Sequence, residues 1–115
     1  MDDILDAIAR IRVADKRMRL GESLGDDVGV QIAYQAILYN LFIIAGAIGA
    51  IPNEILSRDP LTQWNGFVSL PESIGPGYQA TVPAVVHRTI QDELGPLEIA
   101  VRRLRADVRA GTLGY

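Results

Sequence analysis

The chain has 115 residues, 49% of them hydrophobic and 22% charged, with a formal net charge of −3. That length holds one domain with a modest core, the composition excludes a disordered chain, and the acidic balance excludes a general nucleic-acid coat while leaving room for a local basic patch. With no Cys and a single His, disulfides, thiolate metal sites and a multi-His site within one chain are excluded, and only carboxylate-based metal sites stay open.

The opening Met1-Asp2-Asp3-Ile4-Leu5-Asp6 is acidic and amphipathic, unlike a secretory signal or transit peptide. Asp2 and Asp3 suit the N-terminal end of a helix dipole. Ile4, Ile8, Ile11 and Met18 then recur near one face, with Asp6, Arg10, Arg12, Lys16, Arg17 and Arg19 on the solvated side. The spacing predicts a helix over 3–20, stopped by Gly21. A second, longer helix is predicted from Asp27 to Ala50, amphipathic at first and apolar all round from Leu41, hence central in the fold. The apolar run 41–51 is too short to span a bilayer, which needs about 20 residues. Ala45, Gly46, Ala47, Gly49 and Ala50 leave little bulk, which suits either a tight crossing within the chain or a dimer interface along this surface.

Pro52 ends that helix and opens a short one through Leu56; Asp59-Pro60 predicts another over 60–69 carrying Trp64, Phe67, Val68 and Leu70. Pro71, Gly75, Pro76 and Gly77 then interrupt the helical pattern, so no stable helix crosses 71–77, and a binding or catalytic loop is expected there. The last helix starts near 81–83 and carries Val82, Val86, Ile90, Leu94, Leu97, Val101, Leu104 and Val108 at spacings of three and four. Gly95-Pro96 should kink it, and Arg102, Arg103, Arg105 and Arg109 suit the negative end of its dipole. No strand pattern or repeat is present. The expectation is an all-α antiparallel bundle of three long helices and one or two short ones, with a domain over 1–110 and a frayed tail over 111–115.

Candidate chemistry is sparse. His87 is the one side chain whose ordinary titration suits acid–base work near neutral pH, but no partner motif surrounds it, so a packed or half-exposed structural role is the expectation over a catalytic one. The arginines at both chain ends could contact phosphate, but on a net acidic chain a solvated helix face is the favoured account of them. Asp26, Asp27, Glu54, Glu72, Asp92 and Glu93 show no metal-binding spacing, so no metal or cofactor is expected. Glu98 and Arg102, like Arg88 and Asp92, stand one helical turn apart as surface pairs. Tyr39 and Asn40 interrupt an otherwise apolar segment and either bond structurally or line a site.

The order of these segments resembles the HepT-like branch of the HEPN superfamily, small α-helical proteins of prokaryotic toxin–antitoxin systems. DDILDAIARI resembles that family's first helix, AILYNLFIIAGAIGAIP its second, TQWNGFVSL the Trp-led approach to its active motif, and VVHRTIQDELGPL its last helix. The family motif is Arg, four residues, His, one residue, Tyr. With Trp64 and Tyr78 matched, Pro71 stands at the Arg position, Pro76 at the His position, and Tyr78 alone is kept. The family's Gly-Glu-Ala is Ala45-Gly46-Ala47 here, and Tyr39 stands where Arg is frequent.

The resemblance implies a symmetric homodimer whose relatives cleave RNA without metal, with Arg holding phosphate and His moving protons. Proline can do neither, so the resemblance carries the fold and the dimer but not that chemistry. It also implies a nucleotidyltransferase antitoxin as partner, which in some systems adenylylates the motif tyrosine; Tyr78 is then either that acceptor or an aromatic that closes the loop. A cytoplasmic protein that acts by binding is the expectation, with Tyr39, Asn40, Arg58 and Glu72 as candidate binding residues. The rivals are a ribonuclease using rearranged residues such as His87 or Arg58 with Tyr78, and a purely structural helical module.

Overall fold

Ile4, Ile8 and Ile11 recur at helical spacing, and in the computed structural model, which describes residues 1–69 and 86–111, they line the fully buried side of α1, Asp2–Leu24. Helix α2, Asp27–Gly49, returns antiparallel to α1 and contributes Ile37, Leu41, Ile44 and Ile48 to the same core. Two short helices follow, α3 at Asn53–Leu56 and α4 at Trp64–Val68, and α4 packs on α2. The last helix is described from residue 86, passes through a π-helical turn at Thr89–Glu93, and continues as α5, Leu94–Arg109. Among the described residues all regular structure is helical, in three long helices and two short ones.

The joint between α1 and α2 differs from the expected stop at Gly21. Gly21 lies inside the helix, buried, because a Cβ there would stand 2.9 Å from Val30 Cγ2; its missing side chain lets the two helices approach. The true terminator is Gly25, at φ 70°, in the left-handed region that L side chains avoid. Its N–H donates to the Glu22 carbonyl and the Asp26 N–H donates to the Gly21 carbonyl, a Schellman closure of the otherwise orphaned last carbonyls. Asp26 then caps the next helix, its Oδ1 accepting from the Gly29 N–H at 3.0 Å. Two residues thus end one 23-residue helix and begin another.

Helix α2 is apolar in composition but buried on one side only. Phe42, Gly46, Gly49 and Ala50 are exposed, in contrast to the all-round burial expected from Leu41 onward. Among the described residues no tight crossing is made at the glycines: nothing beyond the helix's own backbone lies within 4 Å of where a Cβ on Gly46 or Gly49 would stand. At 23 residues α2 is also long and apolar enough to cross a bilayer, which the shorter run 41–51 did not suggest. Its packed side lies in the protein core against α1, which carries charge along its outer face.

Further on, the predicted helix over 60–69 is shorter. Pro60 sits in a turn and α4 starts at Trp64, whose indole Nε1 donates to the Leu56 and Asp59 carbonyls, both at 3.1 Å. That buried donor holds the turn closed in place of a helical first turn. Trp64 and Phe67 enter the core, Val68 stays partly exposed, and the predicted Leu70 lies outside the described residues. The kink expected from Gly95-Pro96 takes the form of the π turn: the Leu94 N–H reaches the Thr89 carbonyl, five residues back, widening the helix just before the proline. The widened turn also shifts the register of Arg88 and Asp92, and the ion pair expected between them is not made. The predicted start of this helix at 81–83 and the tail beyond Gly111 lie outside the described residues.

Two ion-pair groups fix α5 against α1. Arg105 and Arg109 reach Asp2 at 2.7 and 3.4 Å, and Glu98 takes Arg12 on one carboxylate oxygen and Arg102 on the other, the latter at 2.9 Å. The end of α5 therefore lies at the start of α1 and its beginning near Arg12, an antiparallel pairing.

Candidate functional site

Of the residues singled out in the sequence, Pro71, Glu72, Pro76 and Tyr78 lie outside the described residues. The segment that carries them leaves the described fold after Ser69 and re-enters it at Val86. The described structure also forms a cleft of about 540 Å³ between the α3–α4 connection with α4 and the π turn with the start of α5. Its polar lining is mixed: Asp59, Thr62 and Gln63 on one wall, Asp92, Glu93 and Arg103 on the other. Arg103 is the cation here; Arg102, Arg105 and Arg109 are each committed to a carboxylate. Asp92 and Glu93 reach this wall because the π turn carries them, and such turns recur at functional sites.

The remaining candidates are spread out. Tyr39 is 67% exposed on α2 and is not the buried polar group that its apolar surroundings suggested. Its neighbour Asn40 is 5% exposed; its Nδ2 donates to the Ala36 carbonyl at 2.8 Å, and its Oδ1 has no partner among the described residues. Asn40 lies at one end of an apolar groove of about 690 Å³ between α1 and α2, whose walls are set by Val13, Leu20, Leu24, Ile32 and Ala33. Arg58 is exposed in the turn after α3. His87 is exposed too, one residue past buried Val86 and two before buried Thr89, rather than packed or half-buried. No hydrogen bond or ion pair joins Tyr39, Asn40, Arg58 and His87 to one another. Adjacent positions on a helix point about 100° apart, which is how Tyr39 and Asn40 part company.

The strongest electrostatic features are structural. Hydrogen bonds from Arg12 and then Arg102 hold the Glu98 carboxyl below its ordinary value, and Asp2 is lowered chiefly by the hydrogen bond from Arg105. Among the described residues no group of three His, Asp or Glu side chains converges as a metal site would require.

The groove and the cleft were not legible in the sequence. Each is brought together by elements distant in the chain or by the packing of two helices, and the residues lining it, such as Leu24 or Pro96, carry no pattern that separates them from ordinary surface.

Comparison with known proteins places this arrangement. The family model for ribonuclease HepT-like proteins matches residues 4–104, from the first buried isoleucine of α1 to the last fully buried leucine of α5. No curated protein and no solved structure was found to match the chain.

Proposed function

Because the chain belongs to the HepT-like family of the HEPN superfamily, we propose that it is a toxin-type protein that has lost the family's metal-independent ribonuclease chemistry and acts by binding. The observation that carries this is the pair Pro71 and Pro76, which stand at the Arg and His positions of the motif. A pyrrolidine ring has no cationic head to hold phosphate and no group that moves a proton at neutral pH. Two prolines five residues apart also oppose the helix that would aim such groups. The exposed setting of His87 supports the same reading, since a general base works beside the proton it takes and is oriented by a second group.

In this reading the protein is a cytoplasmic homodimer whose partner is a nucleotidyltransferase-type antitoxin. Tyr78 keeps the phenol at the motif's third position and is the residue on which adenylyl transfer by such a partner would fall. The cleft lined by Gly66 and Phe67 on one side and Asp92, Glu93 and Arg103 on the other is the first place to look for the partner's contact.

The experiment is RNA cleavage by the purified protein at high concentration, with and without chelator, beside a His87→Ala variant. The expected result is no cleavage. Chelator-resistant cleavage that disappears in the variant overturns the proposal and moves the active residues to positions the family does not use. Co-purification from the native host tests the partner: recovery of a nucleotidyltransferase supports the binding role, and its absence favours a purely structural module.

A further inference from the structure

From Val28 to Ala50 the chain has no charged residue, yet the outward side of α2 over this span faces solvent. Val28 is 71% exposed, Ile32 63%, Tyr39 67% and Phe42 41%; Gly46 and Gly49 are exposed as well. At 100° per residue these positions, with Gln35, fall within one face of the helix, and at 1.5 Å per residue they run for about 31 Å. An uncharged, mainly apolar strip of that length, broken only by the amides of Gln31 and Gln35, marks an interaction surface. A partner that used charge to recognise it would be desolvated with nothing of opposite sign to meet.

The order of side chains along the strip identifies the partner. Tyr39 and Phe42 stand at the strip's centre; of the flanks, the N-terminal one carries the branched side chains Val28 and Ile32 and the C-terminal one the empty positions Gly46 and Gly49. The two sets are equidistant from Tyr39 to within one residue. Turned by a two-fold axis through Tyr39, the strip fits itself: Val28 meets Gly49, Ile32 meets Gly46, and Phe42 meets Gln35. Among the described residues nothing beyond the helix's own backbone lies within 4 Å of a Cβ position on either glycine, so both notches are open to receive a side chain. A two-fold interface needs this self-complementarity, in which position i meets j and j meets i. An antiparallel crossing also opposes the two helix dipoles.

We infer that two copies of this chain pair through an antiparallel crossing of α2 centred on Tyr39. The inference rests on the homodimer proposed above and assigns its face and register.

The chain contains no Cys, so single cysteines report contacts without background. Tyr39→Cys is expected to cross-link to a dimer on mild oxidation. Val28→Cys and Gly49→Cys are each expected to remain uncross-linked alone and to link to one another when mixed, because a disulfide needs Cα atoms about 4.4–6.8 Å apart. Glu54→Cys, on exposed α3, serves as the control for collisions and should stay monomeric on a non-reducing gel. Light scattering should give a dimer for the wild type, and Ile32→Arg should raise its dissociation constant at least about tenfold with helicity unchanged by circular dichroism. Gly46→Leu, which fills the notch, should act in the same direction. A wild-type monomer, or one that partitions into neutral lipid vesicles instead of pairing, overturns both the dimer and this face. A dimer that does not cross-link at Tyr39, or that links Val28→Cys to itself, overturns this face and register and leaves the dimer standing. Neither result bears on RNA cleavage, which is read separately.

Discussion

The two ends of the α1–α2 hairpin are built from the same kinds of residue and meet different fates. At the end that holds Ile4, Ile8, Ile44 and Ile48, α5 lies across α1 and the isoleucines are fully buried. At the other end Val13, Leu20, Leu24 and Ile32 remain exposed around an open groove. The cause is where α5 docks: its ion pairs place it along α1 between Asp2 and Arg12. Beyond Arg12, among the described residues, α1 and α2 pack chiefly on each other. One end is held by a core; the other is held by its joint, through Gly25, Asp26 and the close approach at Gly21.

That contrast can be broken at graded cost. Leu97→Ala, at the covered end, removes a fully buried side chain and should destabilise by about 2–5 kcal/mol in urea unfolding. Gly21→Leu, at the joint, forces bulk against Val30 and should cost about 1–3 kcal/mol, more than the gain in helix propensity returns. Asp26→Ala removes the cap on the Gly29 N–H and should cost about 1 kcal/mol.

Glu98→Gln cuts both of that carboxylate's ion pairs between α1 and within α5, and near neutral pH should cost under about 1 kcal/mol, as partly exposed pairs do. Its pH dependence has a definite sign. The folded carboxyl titrates below the unfolded value of 4.5, so its contribution is complete above that value and is lost as pH falls through the lower folded one. Wild type and variant should therefore converge below pH 4.5, as paired urea titrations would show. The smallest effect belongs to the open end: Leu24→Ala, at a residue 73% exposed, should stay within about 0.5 kcal/mol. If Leu24→Ala proved as costly as Leu97→Ala, the groove would be filled in solution and the contrast between the ends would fail.

Much of this was legible in the residues. The spacing of Ile4, Ile8 and Ile11, and of Leu94, Leu97, Val101 and Leu104, is local information, and it placed the core faces of α1 and α5. What the residues could not show was distance. Gly21 and Gly25 look alike in sequence; only the approach of Val30 makes one a packing position and the other a terminator. Asp59-Pro60 has the form of a helix start, but the Trp64 indole, reaching back to Leu56 and Asp59, settles the turn. The proline kink was foreseeable and its relief through a π turn upstream was not, which is why Arg88 and Asp92 fail to pair. Composition made α2 look central; that α5 docks at one end of the hairpin is a property of the whole fold. The family match likewise covers 4–104, while the motif positions that decide the chemistry, Pro71 and Pro76, fall within the segment outside the described residues.

The two-residue joint at Gly25-Asp26 also sets an order of assembly. Helices α1 and α2 meet through contacts between near neighbours in the chain, which close quickly because little loop entropy stands against them. The pairs that dock α5, Arg12 with Glu98 and Asp2 with Arg105, join residues 86 and 103 positions apart. The hairpin is thus expected to serve as the folding nucleus and α5 to arrive late, so that mutations at the joint slow folding while mutations such as Leu97→Ala mainly hasten unfolding. During synthesis the N-terminal hairpin leaves the ribosome first, and the isoleucines that will form the core wait, uncovered, for the last helix to be made.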